Sequence, residues 1–110
     1  FKIIHCDEFQ TEGIDKIVKR IRDRVGNNPL YLSIDIDVLD PAFAPGTGTP
    51  EVAGMTTREI VNVIRGLSGL NLISADVVEV SPAYDHAEVT SLAAATIVYE
   101  LINLFAKVKG

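Results

Sequence analysis

Residues 33–41 read S-I-D-I-D-V-L-D-P and place charged aspartates inside an apolar, strand-like segment. Aspartate is depleted in strands because a charge there must be desolvated or must face water. Side chains two residues apart in a strand point to the same face, so Ser33, Asp35 and Asp37 are predicted to line one face of a strand over residues 30–37. Two carboxylates this close repel each other unless one is protonated or a cation lies between them.

The paired carboxylates therefore predict a site for a divalent cation. Oxygen ligands favour Mg, Ca or Mn over metals that prefer soft ligands. The site is expected at the carboxyl end of the strand, where ligands bind in open α/β sheets. In the alternative interpretation, Asp35 and Asp37 cap nearby backbone groups or face water. Asp40 precedes Pro41, which favours an extended or turn conformation, so a turn is predicted there rather than a metal ligand.

The spacing of apolar residues predicts an α/β fold. Residues 41–54 contain three prolines and three of the eight glycines, so they are expected to form a loop. Strands alternating with helices indicate βαβ units and a mainly parallel sheet covered on both faces. The predicted strands are residues 1–6, 30–37 and 72–80. The first predicted helix is 14–25. The second begins at a Thr56–Glu59 capping box and ends at Gly66 or Gly69, and the third extends from Asp85 to about Phe105.

Composition limits the classes of partner. The 110 residues correspond to about one small domain, and the 47% hydrophobic content is typical of a packed core rather than of disorder. The net charge of −5 argues against a nucleic-acid partner, which requires a basic face. No uninterrupted apolar run reaches the roughly 20 residues of a membrane span, so no membrane association is expected.

Glu79 is a second carboxylate in an apolar setting, near the end of the strand I-S-A-D-V-V-E-V-S-P. An unpaired buried carboxylate is costly, so Glu79 is expected to meet a cation. That cation is either a protein Arg or Lys or a cationic substrate, and the residues alone leave both open. Asp76 lies three positions earlier and is predicted to point to the opposite face, where a structural hydrogen bond is its expected role.

Three segments together resemble a known family. The pattern S-I-D-I-D-x3-P-x3-P-G-x7-G, from Ser33 to Gly54, resembles the C-terminal metal-binding signature of the ureohydrolases, the arginase and agmatinase family. The segments E-V-S-P from Glu79, Y-D-H-A-E-V-T from Tyr84 and L-A-A-A from Leu92 resemble its agmatinase branch. The resemblance extends over about residues 30–105.

The resemblance implies part of a three-layer α/β/α fold with a mainly parallel sheet and two Mn ions at its carboxyl edge. Asp35 and Asp37 would be metal ligands, one of them bridging the ions. Glu79 would receive the guanidinium of the substrate, and Thr49 would help to orient it. The implied reaction is attack of a metal-activated hydroxide on the guanidinium carbon, which releases urea and a primary amine, most directly putrescine from agmatine.

The sequence also departs from the family. The other metal ligands and the proton-shuttling histidine of family members come from G-G-D-H and D-A-H-x-D motifs, which this sequence lacks. Residues 1–110 are therefore interpreted as the C-terminal segment of a single ureohydrolase domain whose N-terminal part is absent. The isolated chain is expected to be inactive, and the full-length enzyme to form a homo-oligomer, a trimer or hexamer. The compartment is left open, with cytoplasm or mitochondrion favoured.

Two other functions are considered. D-I-D-V-L loosely resembles the D-x-D nucleophile motif of haloacid-dehalogenase-type phosphatases, which are Mg-dependent. The Gly-Thr that should follow the second Asp is missing, as is a downstream Lys beside an acidic cluster. The second alternative is a non-catalytic folded fragment that supplies packing or oligomerisation surface.

Overall fold

The α/β class with a parallel sheet is confirmed by the computed structural model, which describes residues 1–109. Helices and strands alternate after a first helical pair. The elements are α1 (Cys6–Glu12), α2 (Ile14–Val25), β1 (Leu30–Asp35), α3 (Thr57–Gly66), β2 (Leu72–Val78) and α4 (Val89–Lys109), with short 3-10 turns at Ile36–Val38 and Pro82–Tyr84.

Strands β1 and β2 form a two-stranded parallel sheet, in which Asp35 lies opposite Val78. The register is continuous from Tyr31 to Asp35 and irregular between Leu30 and Tyr31. Along β1, Ile34 is buried whereas Asp35 is exposed, so the strand has one packed face and one open face. The described residues thus supply two of the three expected layers, and the open face carries Asp35.

The core lies between the packed sheet face, α3 and α4. Helix α3 begins with the predicted capping box, because Thr56 Oγ1 accepts from the Glu59 amide at 3.0 Å and Glu59 Oε1 accepts from the Thr56 amide at 2.9 Å. Each fully buried aliphatic side chain contributes about 1.5–3 kcal/mol by leaving water. The buried apolar side chains of the two helices are Ile60, Val61, Val63 and Ile64 of α3 and Ala93, Ile97, Leu101 and Leu104 of α4.

The strand predicted at residues 1–6 is wrong. Residues 1–5 have no regular structure, and α1 begins at Cys6, where Glu8 Oε2 accepts from the His5 amide at 2.6 Å. A single apolar segment becomes a strand only when a neighbour pairs with it, and no strand among residues 1–109 does so. The predicted sheet of three strands is therefore a sheet of two in the part of the chain that the structure describes.

Helix α4 is long and apolar enough to cross a membrane by length and composition alone, since Val89–Val108 has 20 residues and a hydropathy of 1.6. Its apolar stretch is interrupted by Glu100 and Asn103, so it is not the uninterrupted apolar run that the sequence lacks. One such helix is weak evidence for a span, because a core helix has the same composition. Here Ile97 and Leu101 pack into the core, and Glu100 pairs with Arg65 of α3.

Candidate metal and substrate site

Asp35 and Asp37 lie side by side, but a turn rather than a strand brings them together. Strand β1 ends at Asp35, whose Oδ1 accepts from the Asp37 amide at 3.0 Å, and residues 36–38 form a 3-10 turn. The prediction that the strand continues to residue 37 is therefore wrong. The Asp35 carboxylate accepts the hydrogen bond of the Asp37 amide, and the chain turns at this point instead of continuing in the sheet. The alternative interpretation, backbone capping, is realised for this one oxygen of Asp35.

Thr49 belongs to the same cluster. Its Oγ1 donates to Oδ2 of Asp37 at 3.0 Å, so the loop after β1 folds back onto the end of that strand. Asp40 starts this loop with a turn, as predicted, because its two carboxylate oxygens accept from the amides of Ala42 at 2.9 Å and Ala53 at 3.1 Å. Thr49 is thus held against the Asp37 carboxylate, while Asp40 has a structural role.

Glu79 directly follows Val78, the register partner of Asp35, and so reaches the same edge of the sheet. Its φ of +70° is in the left-handed region, which costs a non-glycine residue about 1–3 kcal/mol. The salt bridges among the described residues do not include Glu79. Glu79 is also exposed, so the expectation of a buried carboxylate at this position is wrong, and neutralisation by a protein Arg or Lys finds no support in residues 1–109.

Several carboxylates at this edge of the sheet lie close enough to repel one another. Partial desolvation raises the pKa of the Asp35 carboxyl, and the neighbouring carboxylates of Asp37 and Glu79 raise it further, against the hydrogen bond from the Asp37 amide. A bound cation would remove this repulsion. The chemistry of the donors, which are carboxylate oxygens, fits Mn.

The donor set is nevertheless partial. Residues 1–109 contain no group of three or more His, Cys, Asp or Glu side chains arranged to hold a metal ion. Asp35 and Asp37 can therefore act as two ligands of a metal site, and the rest of the coordination shell has to come from donors other than a third such side chain of this segment.

Asp76 makes the predicted structural hydrogen bonds, but on an unexpected face. Its carboxylate accepts from the hydroxyls of Ser33 and Tyr31, which share a face of β1 with Asp35. The hydrogen bonds from these two hydroxyls lower the pKa of the Asp76 carboxyl, and the larger effect comes from Ser33. Strand alternation does not relate Asp76 to Glu79, because the backbone of Glu79 has left the extended conformation.

Sequence reasoning missed a second set of polar residues beside the site, Asp85 and Thr90. Thr90 is fully buried and its hydroxyl accepts from the Gly46 amide at 2.8 Å. The sequence predicted that Asp85 would start the last helix, but α4 begins at Val89, and Asp85 instead caps it from four residues upstream. The spacing of Asp85 from Thr90 was the available signal, whereas the contact with Gly46 spans 44 residues and leaves no local pattern.

The sequence profile of the Arginase family matches residues 1–103. The chain belongs to the arginase family. Among its relatives, a Schizosaccharomyces pombe protein named "Putative agmatinase 1" is 63% identical over 107 residues, which are 97% of this chain and 27% of that protein. The agmatinase of Enterobacter sp. strain 638 is 46% identical over 110 residues, covering 100% of this chain and 36% of the relative.

Solved structures of arginase-family proteins have the same fold. The proclavaminate amidino hydrolase of Streptomyces clavuligerus superposes with a TM-score of 0.95 and 44% identity, over 97% of this chain and 36% of that chain. This arginase-family segment thus spans about a quarter to a third of the length of the relatives that it matches. The ureohydrolase resemblance is confirmed, and family membership gives no support to the phosphatase alternative.

Proposed function

We propose that these residues form part of a manganese-dependent hydrolase that cleaves the guanidinium group of a small guanidino compound. One observation carries the proposal: Asp35, Asp37 and Glu79 meet at one sheet edge, with Thr49 bonded to Asp37. Such a carboxylate cluster has places both for a metal and for a cationic substrate. The agmatinase names of several relatives support agmatine as the substrate and putrescine and urea as the products.

Asp35 and Asp37 are the residues that would hold manganese. When bound, the metal lowers the pKa of water so that a hydroxide nucleophile is available near neutral pH. Thr49 holds the Asp37 carboxylate through its hydroxyl, a contact that uses only the Oδ2 atom. Orientation of this kind typically changes metal affinity by about 10- to 100-fold.

Glu79 is the residue that would bind the guanidinium. A carboxylate and a guanidinium form two parallel, charge-assisted hydrogen bonds, which hold the planar group in one orientation. The left-handed backbone at Glu79 turns its side chain out of the strand alternation and fixes it at the edge where Asp35 ends β1. The substrate carbon is thereby presented toward the metal side of the cluster.

The part of the substrate beyond the guanidinium is less restricted by this segment. The chain is 46% identical to an agmatinase and 44% identical to a proclavaminate amidino hydrolase, two proteins whose names give different substrates. We therefore assign the guanidino class to residues 1–110 and propose agmatine within it. We propose that the residues that select among guanidino substrates lie in the portion of the relatives that this segment does not match.

The segment is proposed to act as the C-terminal part of a single ureohydrolase domain and to be inactive alone. The partial ligand set in residues 1–109 supports this, because two carboxylates do not complete a two-metal site. The open sheet face that carries Asp35 also supports it. The same two observations favour the second candidate, a folded fragment without catalysis, as the state of the isolated chain. We propose a homo-oligomer, a trimer or hexamer, for the full-length enzyme.

A chimera tests the function. The matching residues of the Enterobacter agmatinase are replaced by this chain, and urea release from agmatine is measured with added Mn. The chimera is expected to be active, and Asp35→Asn and Glu79→Gln to reduce kcat/KM by at least about 100-fold, since misplacement of a reacting group by about 1 Å already costs this much. Asp23→Asn, on the exposed side of α2, is the control and is expected to keep full activity.

Two outcomes would contradict the proposal. One is a folded, Mn-loaded chimera without urea release, and the other is full activity in Asp35→Asn and Glu79→Gln. The isolated 110-residue chain is assayed in parallel and is expected to release no urea, whereas appreciable turnover by it would remove the claim that the segment is incomplete.

A further inference from the structure

The buried contact between Gly46 and Thr90 joins the two halves of the carboxylate cluster. We propose that Thr90 and Asp85 are positioning residues, which set the placement of Glu79 relative to Asp37. The inference rests on the proposed function, because it assigns a role in orienting the guanidino substrate. The site loop is defined here as residues 45–49.

Gly46 is the point where three segments meet. Its amide donates to Thr90 Oγ1 at 2.8 Å, and its carbonyl accepts from the Ser81 amide at 2.7 Å. Three residues after Gly46, Thr49 bonds to Asp37. The site loop therefore has a direct hydrogen bond to the end of β1, another to the segment that follows β2, and a third to the start of α4.

The hydrogen bond from Ser81 to Gly46 positions Glu79, the residue of the cluster that would bind the substrate. Ser81 is two residues after Glu79, so only Val80 separates the two residues. A shift of Gly46 would move Ser81, and with it the Glu79 carboxylate, relative to Asp37. The guanidinium carbon has to lie between these two carboxylates, so their separation determines whether a bound substrate is productively oriented.

Asp85 holds Thr90 in place. Its Oδ1 accepts from the Thr90 amide at 2.9 Å and from the His86 amide at 2.9 Å, and its Oδ2 accepts from the Ser91 amide at 3.0 Å. Desolvation would raise the pKa of the Asp85 carboxyl, but hydrogen bonds from Thr90, Ser91 and His86 outweigh it and hold that pKa far below its ordinary value. Asp85 is thus ionised near neutral pH at the start of α4.

Close packing adds a steric constraint to these hydrogen bonds. A Cβ atom at Gly46 would lie 2.9 Å from Cβ and Cγ of Asp85, and 3.0 Å from its Cα. The Asp85 side chain therefore occupies the space that any side chain at position 46 would need. The site loop is fixed against Asp85 by contact as well as through Thr90.

Amide hydrogen exchange on the 110-residue chain tests the link without requiring activity. Thr90→Val removes the acceptor for Gly46 and preserves the shape of the side chain, so the Gly46 and Ser81 amides are expected to exchange at least about 10-fold faster, as for a lost hydrogen bond of about 1.4 kcal/mol. The Ile97 amide in the middle of α4 is expected to keep its rate. Thr90→Ser retains the hydroxyl and should behave as the natural sequence does.

Ser91→Ala is the matched control, because Ser91 Oγ donates to Asp85 Oδ2, whereas the hydrogen bonds of Gly46 among the described residues go to Thr90 and Ser81. It should leave the Gly46 and Ser81 rates unchanged. Unchanged rates in Thr90→Val, or equal acceleration at Gly46 and Ile97, would overturn the proposal. If Thr90→Val does not fold, Thr90→Ala replaces it and is interpreted in the same way, since it also removes the hydroxyl that accepts from the Gly46 amide.

Kinetics of the chimera give the functional readout. Thr90→Val is expected to lower kcat for agmatine by about 10- to 100-fold while Mn affinity changes by less than about 10-fold, because the hydrogen bond from Thr49 to Asp37 is not itself removed. Thr90→Ser should restore kcat. Equal loss in both variants, or loss of Mn binding in parallel with kcat, would show a merely structural role. If the unsubstituted chimera is inactive, the proposed function fails, and the exchange experiment still decides whether Thr90 holds the site loop.

Discussion

Thr49 Oγ1 donates to Asp37 Oδ2 at 3.0 Å, and this contact connects a loop residue to the turn that ends β1. Asp37 is otherwise placed by its own amide, which donates to Asp35 Oδ1. The Asp37 carboxylate is therefore oriented by a neighbour twelve residues away and not by the strand itself. The role proposed for Asp37 as a metal ligand depends on that neighbour.

Thr49→Val is expected to weaken Mn binding by the chimera by about 10-fold, because the Asp37 carboxylate loses the hydroxyl that orients it. Thr49→Ser keeps the hydroxyl and should bind Mn as tightly as the natural sequence. Electron paramagnetic resonance of free Mn(II) during a titration measures both affinities. Equal Mn affinity in Thr49→Val and Thr49→Ser would exclude an orienting role for the hydroxyl.

Glu79→Gly is expected to be more stable than Glu79→Ala by about 1 kcal/mol, since glycine adopts a positive φ without strain and alanine does not. Urea denaturation of the 110-residue chain gives the two free energies of unfolding. Ala75→Gly in the regular part of β2 is the control and should destabilise by about 0.5–1 kcal/mol. If Glu79→Gly were less stable than Glu79→Ala, the strain at this position would be refuted.

Gly54→Ala is expected to destabilise the chain by about 1–3 kcal/mol. A Cβ there would lie 2.6 Å from the Asp40 nitrogen and 2.8 Å from the Leu39 carbonyl carbon, and backbone atoms cannot rotate away as a side chain does. Gly48→Ala meets no atom within 4 Å and should change the free energy of unfolding by less than about 0.5 kcal/mol. Thermal and urea unfolding compare the pair, and similar effects at positions 48 and 54 would contradict the steric argument.

Arg65→Met is expected to cost about 1–2 kcal/mol at pH 6, since it leaves the buried Glu100 carboxylate unpaired while Arg65 itself is 58% exposed. Two hydrogen bonds from Arg65 lower the pKa of Glu100 below its ordinary value of 4.5. The pair therefore stabilises the fold fully above that value, and its contribution is lost as the pH falls through the lowered pKa.

The difference between Arg65→Met and the natural sequence should accordingly shrink between pH 6 and pH 3. Urea denaturation at the two pH values measures it, with Lys19→Met as the control, because the Lys19–Asp23 pair is exposed. A difference that stays constant with pH would mean that Glu100 does not titrate through its contact with Arg65.

Local patterns in the sequence predicted the features that local physics determines. Helix α2, the Thr56–Glu59 capping box and the turn at Asp40 each depend on residues within a few positions of one another, and all three are present. The aspartates at 35 and 37 were recognisable because charge in an apolar strand is unfavourable without a partner. The parallel pairing of the strands followed from their alternation with helices.

Features that depend on distant partners could not be predicted. Whether residues 1–6 pair as a strand depends on a neighbour that the sequence does not specify. The end of β1 at Asp35 depends on whether the Asp37 amide donates to the Asp35 side chain or to the sheet, and the sequence is compatible with both outcomes. The contact between Gly46 and Thr90, across 44 residues, exists only once the chain is folded.

The sheet has its one irregularity between Leu30 and Tyr31, at the end of β1 opposite to the carboxylates. A bulge absorbs an added or deleted residue by local bending, whereas regular pairing transmits it as a flip of every following side chain. A change of length before this point can therefore be absorbed at little cost, while the five residues from Ser74 to Val78 and their five partners in β1 must keep their number. The regular part of β2 therefore sets the distance between the proposed metal site and the proposed substrate site.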